Sequence, residues 1–248
     1  MSGPYFSVDG LRIACLAVAA CVQILLAALP QWRRWPHTVA DRAARLHLPI
    51  APWPPMFAIW GVIFLWSLGF TVWQALPQNV SDPAMAALGW MAAAAFALNT
   101  AWEWYVPKRD IDSTSLLTIV LELIVLLIAL HLIGPSTLTG GLRFWLGVAP
   151  IQLLAGWISA AAFVNLGSTL KRCGLRVGRT LNFSIVLAAG CLATLVAHWT
   201  AAPIYSLAVC WALLGIVINN VRRDHSIAVG ALAGGLIPVI LAASFMAQ

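Results

Sequence analysis

Long apolar stretches alternate with short polar ones along the whole chain, at residues 11–29, 55–76, 84–104, 114–133, 144–167, 180–199, 203–220 and 226–247. Each is roughly 18–24 residues long, the length a helix needs to cross a hydrocarbon layer of about 30 Å. The pattern predicts an all-α polytopic membrane bundle of about eight transmembrane helices. Local end signals agree. Asp112-Ser113-Thr114 is a capping sequence ahead of the fourth stretch, and Asp82-Pro83 opens the third. Pro150 and Pro238 fall inside the fifth and eighth, where a missing N–H predicts kinks.

The second stretch is the most distinctive. From Trp53 to Gln74 it begins beside two prolines, carries no charge and contains Trp53, Trp60, Trp66 and Trp73. Pro54 and Pro55 suit a first helical turn. Interfacial belts account for Trp53 and Trp73 at its two ends. Trp60 and Trp66, nearer mid-membrane, ask for another explanation.

Composition narrows the class. The chain is 62% hydrophobic and 9% charged, far below the roughly 25% charge of soluble domains. With charge so sparse, the net +6 speaks to topology and not to nucleic acid. Arg33, Arg34, Arg42 and Arg45 follow the first stretch, Lys108 and Arg109 the third, Lys171, Arg172, Arg176 and Arg179 the fifth, and Arg222 and Arg223 the seventh. Only Arg12 and Arg143 lie on the other side. The positive-inside rule then puts both termini outside, periplasmic in the inner membrane of a bacterium. The first stretch contains a lipoprotein-like VAAC at Val18–Cys21, but Arg12 is the only basic residue before it, so it is read as a retained helix. The cysteines, Cys15, Cys21, Cys173, Cys191 and Cys210, have no paired spacing and suggest neither a disulfide framework nor a metal site.

The loop 30–52, rich in Pro, Arg, His and Trp, stands apart. Its VADRAARLHL patch has the pattern of a short amphipathic helix. Two roles suit it: an anchor on lipid phosphates, or a lid over a cavity. Small residues at Gly89, Ala93, Ala97 and Ala101, and the Gly230/Gly234 pair, mark helix-packing stripes.

Ionisable residues inside a bilayer are functional candidates. Glu122 lies about 12 Å along its helix from the basic side, with Asn99 as an expected hydrogen-bond partner. Glu103 sits between Trp102 and Trp104 near the same side. Each has a structural alternative, an interhelical hydrogen bond. Asn165, Asn182, Asn219 and Asn220 also need partners in lipid. Trp157 and Asn165 are eight residues apart, as are Trp211 and Asn219. His131 and His198 lie near the opposite side, without the spacing of a haem-attachment or metal motif. No nucleotide-binding, hydrolase or metalloprotease motif is present, and no second catalytic group can be set beside Glu122 or a histidine, so an enzyme is the weakest reading.

Three blocks, PPMFAIWGVIFLW, LNTAW at Leu98–Trp102, and Pro150 followed by GWISAAAFVN ending at Asn165, occur in an order that resembles the TspO/MBR family of tryptophan-rich sensory proteins. The resemblance covers residues 1–167 and implies a five-helix core with the long basic loop 30–52. Residues 168–248 form an additional three-helix segment outside that pattern. The resemblance implies an aromatic-lined cavity for tetrapyrroles such as porphyrin or haem, or for lipid-like ligands. By position it would involve Trp53, Phe57, Trp60, Asn99, Trp102, Trp157 and Asn165; Trp66 is added because of its depth. Phe64 stands where the family has a tyrosine, so one polar contact is missing. The expected function is ligand sensing or carriage, with membrane lipids and the ligand as partners and a homodimer or larger assembly possible. The rival is an accessory subunit of a larger, pigment-bearing membrane complex, contacting it through the last three helices.

Overall fold

The computed structural model describes residues 8–134, 141–223 and 226–247. These residues form helices α1 (Val8–Trp32), α2 (Val39–Arg45), α3 (Ile59–Ala75), α4 (Pro77–Val80), α5 (Pro83–Arg109), α6 (Ser113–Ile133), α7 (Ala149–Arg172), α8 (Arg179–Thr200), α9 (Pro203–Arg223) and α10 (Ile227–Met246). A 3-10 turn, Pro54–Ala58, leads into α3, and a π-helical stretch, Arg143–Val148, leads into α7. Eight of the resulting segments are long and apolar enough to cross a membrane. The chain is therefore an all-α, multi-pass membrane protein.

The end signals work as expected. The Asp112 carboxylate accepts from the Thr114 and Ser115 N–H groups while the Ser115 hydroxyl accepts from the Asp112 N–H, a full capping box on α6. Asp82 caps α5 through the Ala84 and Met85 N–H groups. Pro150 acts differently from an internal kink. It stands in the first turn of α7, directly after the π stretch. Its ring crowds the carbonyl one turn earlier, and the wider π turn relieves that clash.

Five long helices close a ring in the order α1, α3, α7, α6, α5 and back to α1. Chain order differs from ring order because α3 neighbours α7, far along the sequence. The remaining helices form an outer layer: α9 packs on α7, and α10 joins α9 to α8. The most buried span is thus Arg143–Arg172, between ring and layer; Pro54–Ala75, for all its tryptophans, turns much of its surface outward. The α7–α9 seam depends on Gly156, where an added Cβ would come 2.4 Å from the Tyr205 carbonyl oxygen. Gly230 and Gly234 face Asn220 and Val217 of α9. The Gly230/Gly234 stripe thus packs within the chain, against α9.

Polar contacts mark the two ends. At the basic end Asp110 pairs with Arg42 at 3.2 Å and with Arg172 at 2.5 Å, tying α2, α5 and α7 together. At the opposite end Arg143 pairs with Asp82 at 2.8 Å. There too Arg12 is buried: it donates to Gln74 and, at 2.7 Å, to the Val80 carbonyl, and lies 3.3 Å from Asp9. Read by sequence as one of two charges on that side, Arg12 also joins α1 to α3 and α4.

Candidate functional site

At its basic end the ring encloses a small central chamber of about 40 Å³. Phe57, Trp60, Trp102, Trp157 and Asn165 line it, with Val39 and Ala43 of α2 above. The Trp157 ring meets Phe57 edge-on at 5.5 Å and Trp60 edge-on at 6.3 Å. Trp102 and Trp157 are buried, and neither indole N–H has a hydrogen-bond partner among the described residues. Asn165 accepts from the Ser115 hydroxyl at 3.0 Å, which fixes its amide at the wall.

Two further spaces flank this chamber. On one side a space of about 30 Å³ shares Ala43, Pro52 and Phe57 with it and adds His47, Asn219 and Arg223. On the other a space of about 340 Å³ shares Val39, Phe57 and Trp60 and adds Glu103. The aromatic chamber therefore has a basic flank and an acidic one.

Of the residues singled out by sequence, Phe57, Trp60, Trp102, Trp157 and Asn165 come together here. Trp53, Trp66 and Asn99 do not. Trp53 precedes the 3-10 turn, so helical periodicity does not carry it onto the face of Trp60. Its ring lies 4.7 Å from the Arg222 guanidinium and its main-chain N–H donates to the Gly215 carbonyl at 2.9 Å. Trp66 is six residues past Trp60, about 120° away around an α-helix, and stacks on Trp145 at 6.2 Å. Phe64, four residues on, does share the Trp60 face and stacks on it at 5.3 Å. Asn99 donates to the Gln23 carbonyl oxygen at 3.1 Å, toward α1. The expected Asn99–Glu122 bond is absent. Both Glu122 oxygens are buried with no hydrogen-bond partner among the described residues. His131 and His198 lie at the opposite end, in a groove between α6 and α8, with the His131 ring 5.2 Å from Trp199.

The amphipathic patch in the long loop is helix α2, and it covers the chamber. The Thr38 N–H and hydroxyl both donate to Asp41 at 2.8 Å, and these bonds hold the Asp41 carboxyl below its ordinary pKa. Arg42 then reaches the Pro107 carbonyl and Asp110. Partial burial pushes the Asp110 carboxyl up, but the Ile111 N–H and the Arg42 and Arg172 guanidiniums outweigh it and hold the group below the ordinary carboxylate range. Lys171 adds a bond to the Leu46 carbonyl at 2.6 Å.

The segment between α2 and α3 is fastened by the outer layer. Asn220 donates to the Pro49 carbonyl at 2.7 Å, Asn219 to Ala51 at 3.0 Å and Trp211 to Met56 at 2.9 Å. At Gly215 an added Cβ would lie 2.9 Å from Pro52 and 2.7 Å from Met56, so only glycine allows α9 this close. The sequence signals of this clamp were the need of Asn219 and Asn220 for partners in lipid and the eight-residue Trp211–Asn219 spacing.

A family model described as TSPO-like protein matches residues 11–245, and the chain belongs to that family. The match runs through α8, α9 and α10, so the outer layer falls within the family pattern along with the ring. Neither the curated proteins nor the solved structures contain a match.

Proposed function

We propose that this TSPO-like membrane protein binds a flat hydrophobic ligand of the tetrapyrrole class beneath α2, and acts as its sensor or carrier. The observation that carries the reading is the grouping of Phe57, Trp60, Trp102 and Trp157 around one space, with two indole N–H groups unspent. Rigid aromatic walls stack on a macrocycle, and buried N–H groups gain by meeting its acceptor atoms. Acidic substituents on such a ligand find His47 and Arg223 on the adjoining flank. The central chamber, at about 40 Å³, is far below the 300–1,000 Å³ of typical ligand pockets. Binding therefore requires α2 to lift and Phe57 to turn. With the basic end cytoplasmic, as the positive-inside rule gives, ligand enters from the cytoplasmic side of a bacterial inner membrane and both termini are periplasmic.

Protoporphyrin titrated into the protein in nanodiscs, with tryptophan fluorescence as readout, tests this. Saturable quenching that weakens about tenfold in Trp157→Phe and Trp60→Phe is expected. Absence of saturation, or quenching unchanged by both substitutions, overturns it.

A further inference from the structure

The flanking chamber of about 340 Å³ lies between α1 and α3 at the basic end, with the start of α2 over it. One wall is aliphatic, from Ile24, Ala27 and Ala28 of α1; the other is aromatic, from Phe57, Trp60 and Phe64. Among its described lining residues Glu103 alone is ionisable. Glu103 is only 4% exposed and makes neither an ion pair nor a side-chain hydrogen bond among the described residues. Of the two cations on its own helix, Arg109 is exposed and Lys108 is occupied elsewhere, 4.1 Å from the Trp104 ring and 4.9 Å from Trp35. The nearest polar neighbour one turn back, Asn99, is turned to Gln23.

A buried carboxyl is costly without a counter-charge or donor. Here the missing partner faces a cavity large enough to supply it. The surroundings select the kind of partner. Aromatic faces carry negative potential and attract organic cations, and the stacked Trp60–Phe64 pair lines the same chamber as Glu103. Glu122, fully buried on α6 and within electrostatic reach of Glu103, adds a second unpaired carboxyl. An anion is disfavoured by this arrangement, and a neutral ligand brings no counter-charge to Glu103.

We propose that this chamber binds amphiphilic ammonium compounds, with the cationic nitrogen between Glu103 and the Trp60 and Phe64 rings and the hydrocarbon chain along Ile24, Ala27 and Ala28. The site adjoins the central chamber and shares Val39, Phe57 and Trp60 with it, but its ionisable residue, Glu103, gives it the opposite charge preference to the His47 and Arg223 flank.

The test compares n-dodecylammonium with n-dodecanol, each titrated into the full chain in phosphatidylcholine nanodiscs with empty nanodiscs as the blank. Tryptophan fluorescence reports binding. Saturable binding of the ammonium about tenfold tighter than the alcohol is expected. Glu103→Gln removes that preference while dodecanol binding and protoporphyrin quenching stay as in the wild type. Equal affinities for the two probes in the wild type, or a preference that persists in Glu103→Gln, overturn the proposal. The wild-type comparison decides on its own if Glu103→Gln does not fold. Loss of protoporphyrin quenching in the wild type bears on the central chamber and leaves this comparison intact.

Discussion

The indole N–H of Trp211 donates to the main-chain carbonyl of Met56 at 2.9 Å, joining α9 to the turn that carries Phe57 into the candidate site. These residues are 155 positions apart. The bond gives the outer layer a physical role. Together with Asn219 and Asn220 it holds backbone carbonyls of residues 49–56 in a segment with few ladder bonds of its own. In an apolar setting each such carbonyl is costly to leave unpaired.

Replacing Trp211 with Phe keeps the ring and removes the N–H. The Met56 carbonyl then keeps only the Ile59 N–H as donor, at a cost of about 0.5–1.5 kcal/mol for the lost bond. Hydrogen–deuterium exchange across residues 49–58 is expected to quicken while α5 and α6 keep wild-type protection. Unchanged exchange at that segment contradicts the clamp.

Gly156→Ala puts a methyl group against the Tyr205 carbonyl, where backbone offers little give. Overpacking of this kind costs about 1–3 kcal/mol. Thermal unfolding in detergent should fall accordingly, whereas Gly61→Ala, with nothing near its added Cβ, should hold the midpoint or raise it.

The latch over the chamber has a defined pH response. Asp110 is held below its ordinary pKa by Ile111, Arg42 and Arg172 against the opposing effect of burial. A carboxyl with a lowered folded-state pKa contributes stability that is present above its unfolded value, about 3.9, and lost as pH falls through the folded one. Proteolysis or exchange at α2 should therefore rise below about pH 4. Asp110→Asn should open α2 at neutral pH and flatten the acid response. A variant with the wild-type acid profile would show that other groups control the latch.

Arg12→Met keeps most of the side-chain volume but removes the donors to Gln74 and to the Val80 carbonyl. Two buried acceptors lose a partner, roughly 1–3 kcal/mol each. A lowered unfolding midpoint is expected, with protoporphyrin quenching retained because the cluster lies at the end away from the chamber. A midpoint equal to that of the wild type would mean that water satisfies both groups.

Much of this architecture follows from sequence alone, for a simple reason: in a bilayer, backbone polarity must be satisfied within each helix, so apolar length and flanking charge specify the spans. The eight segments, the caps at Asp82 and Asp112 and the covering helix in the long loop are local matters of that sort. So is the grouping of Phe57, Trp60, Trp102, Trp157 and Asn165, to the extent that the family-like blocks carried it. Tertiary structure decided the rest. A 3-10 turn took Trp53 off the expected face, and helical phase sent Trp66 to Trp145. The partners of Asn99, Arg12, Asn219 and Asn220 depend on helices that meet only because ring order differs from chain order. Glu103 has no partner among the described residues, beside a cavity, for the same reason: its surroundings come from α1, α2 and α3, and no spacing within α5 encodes them.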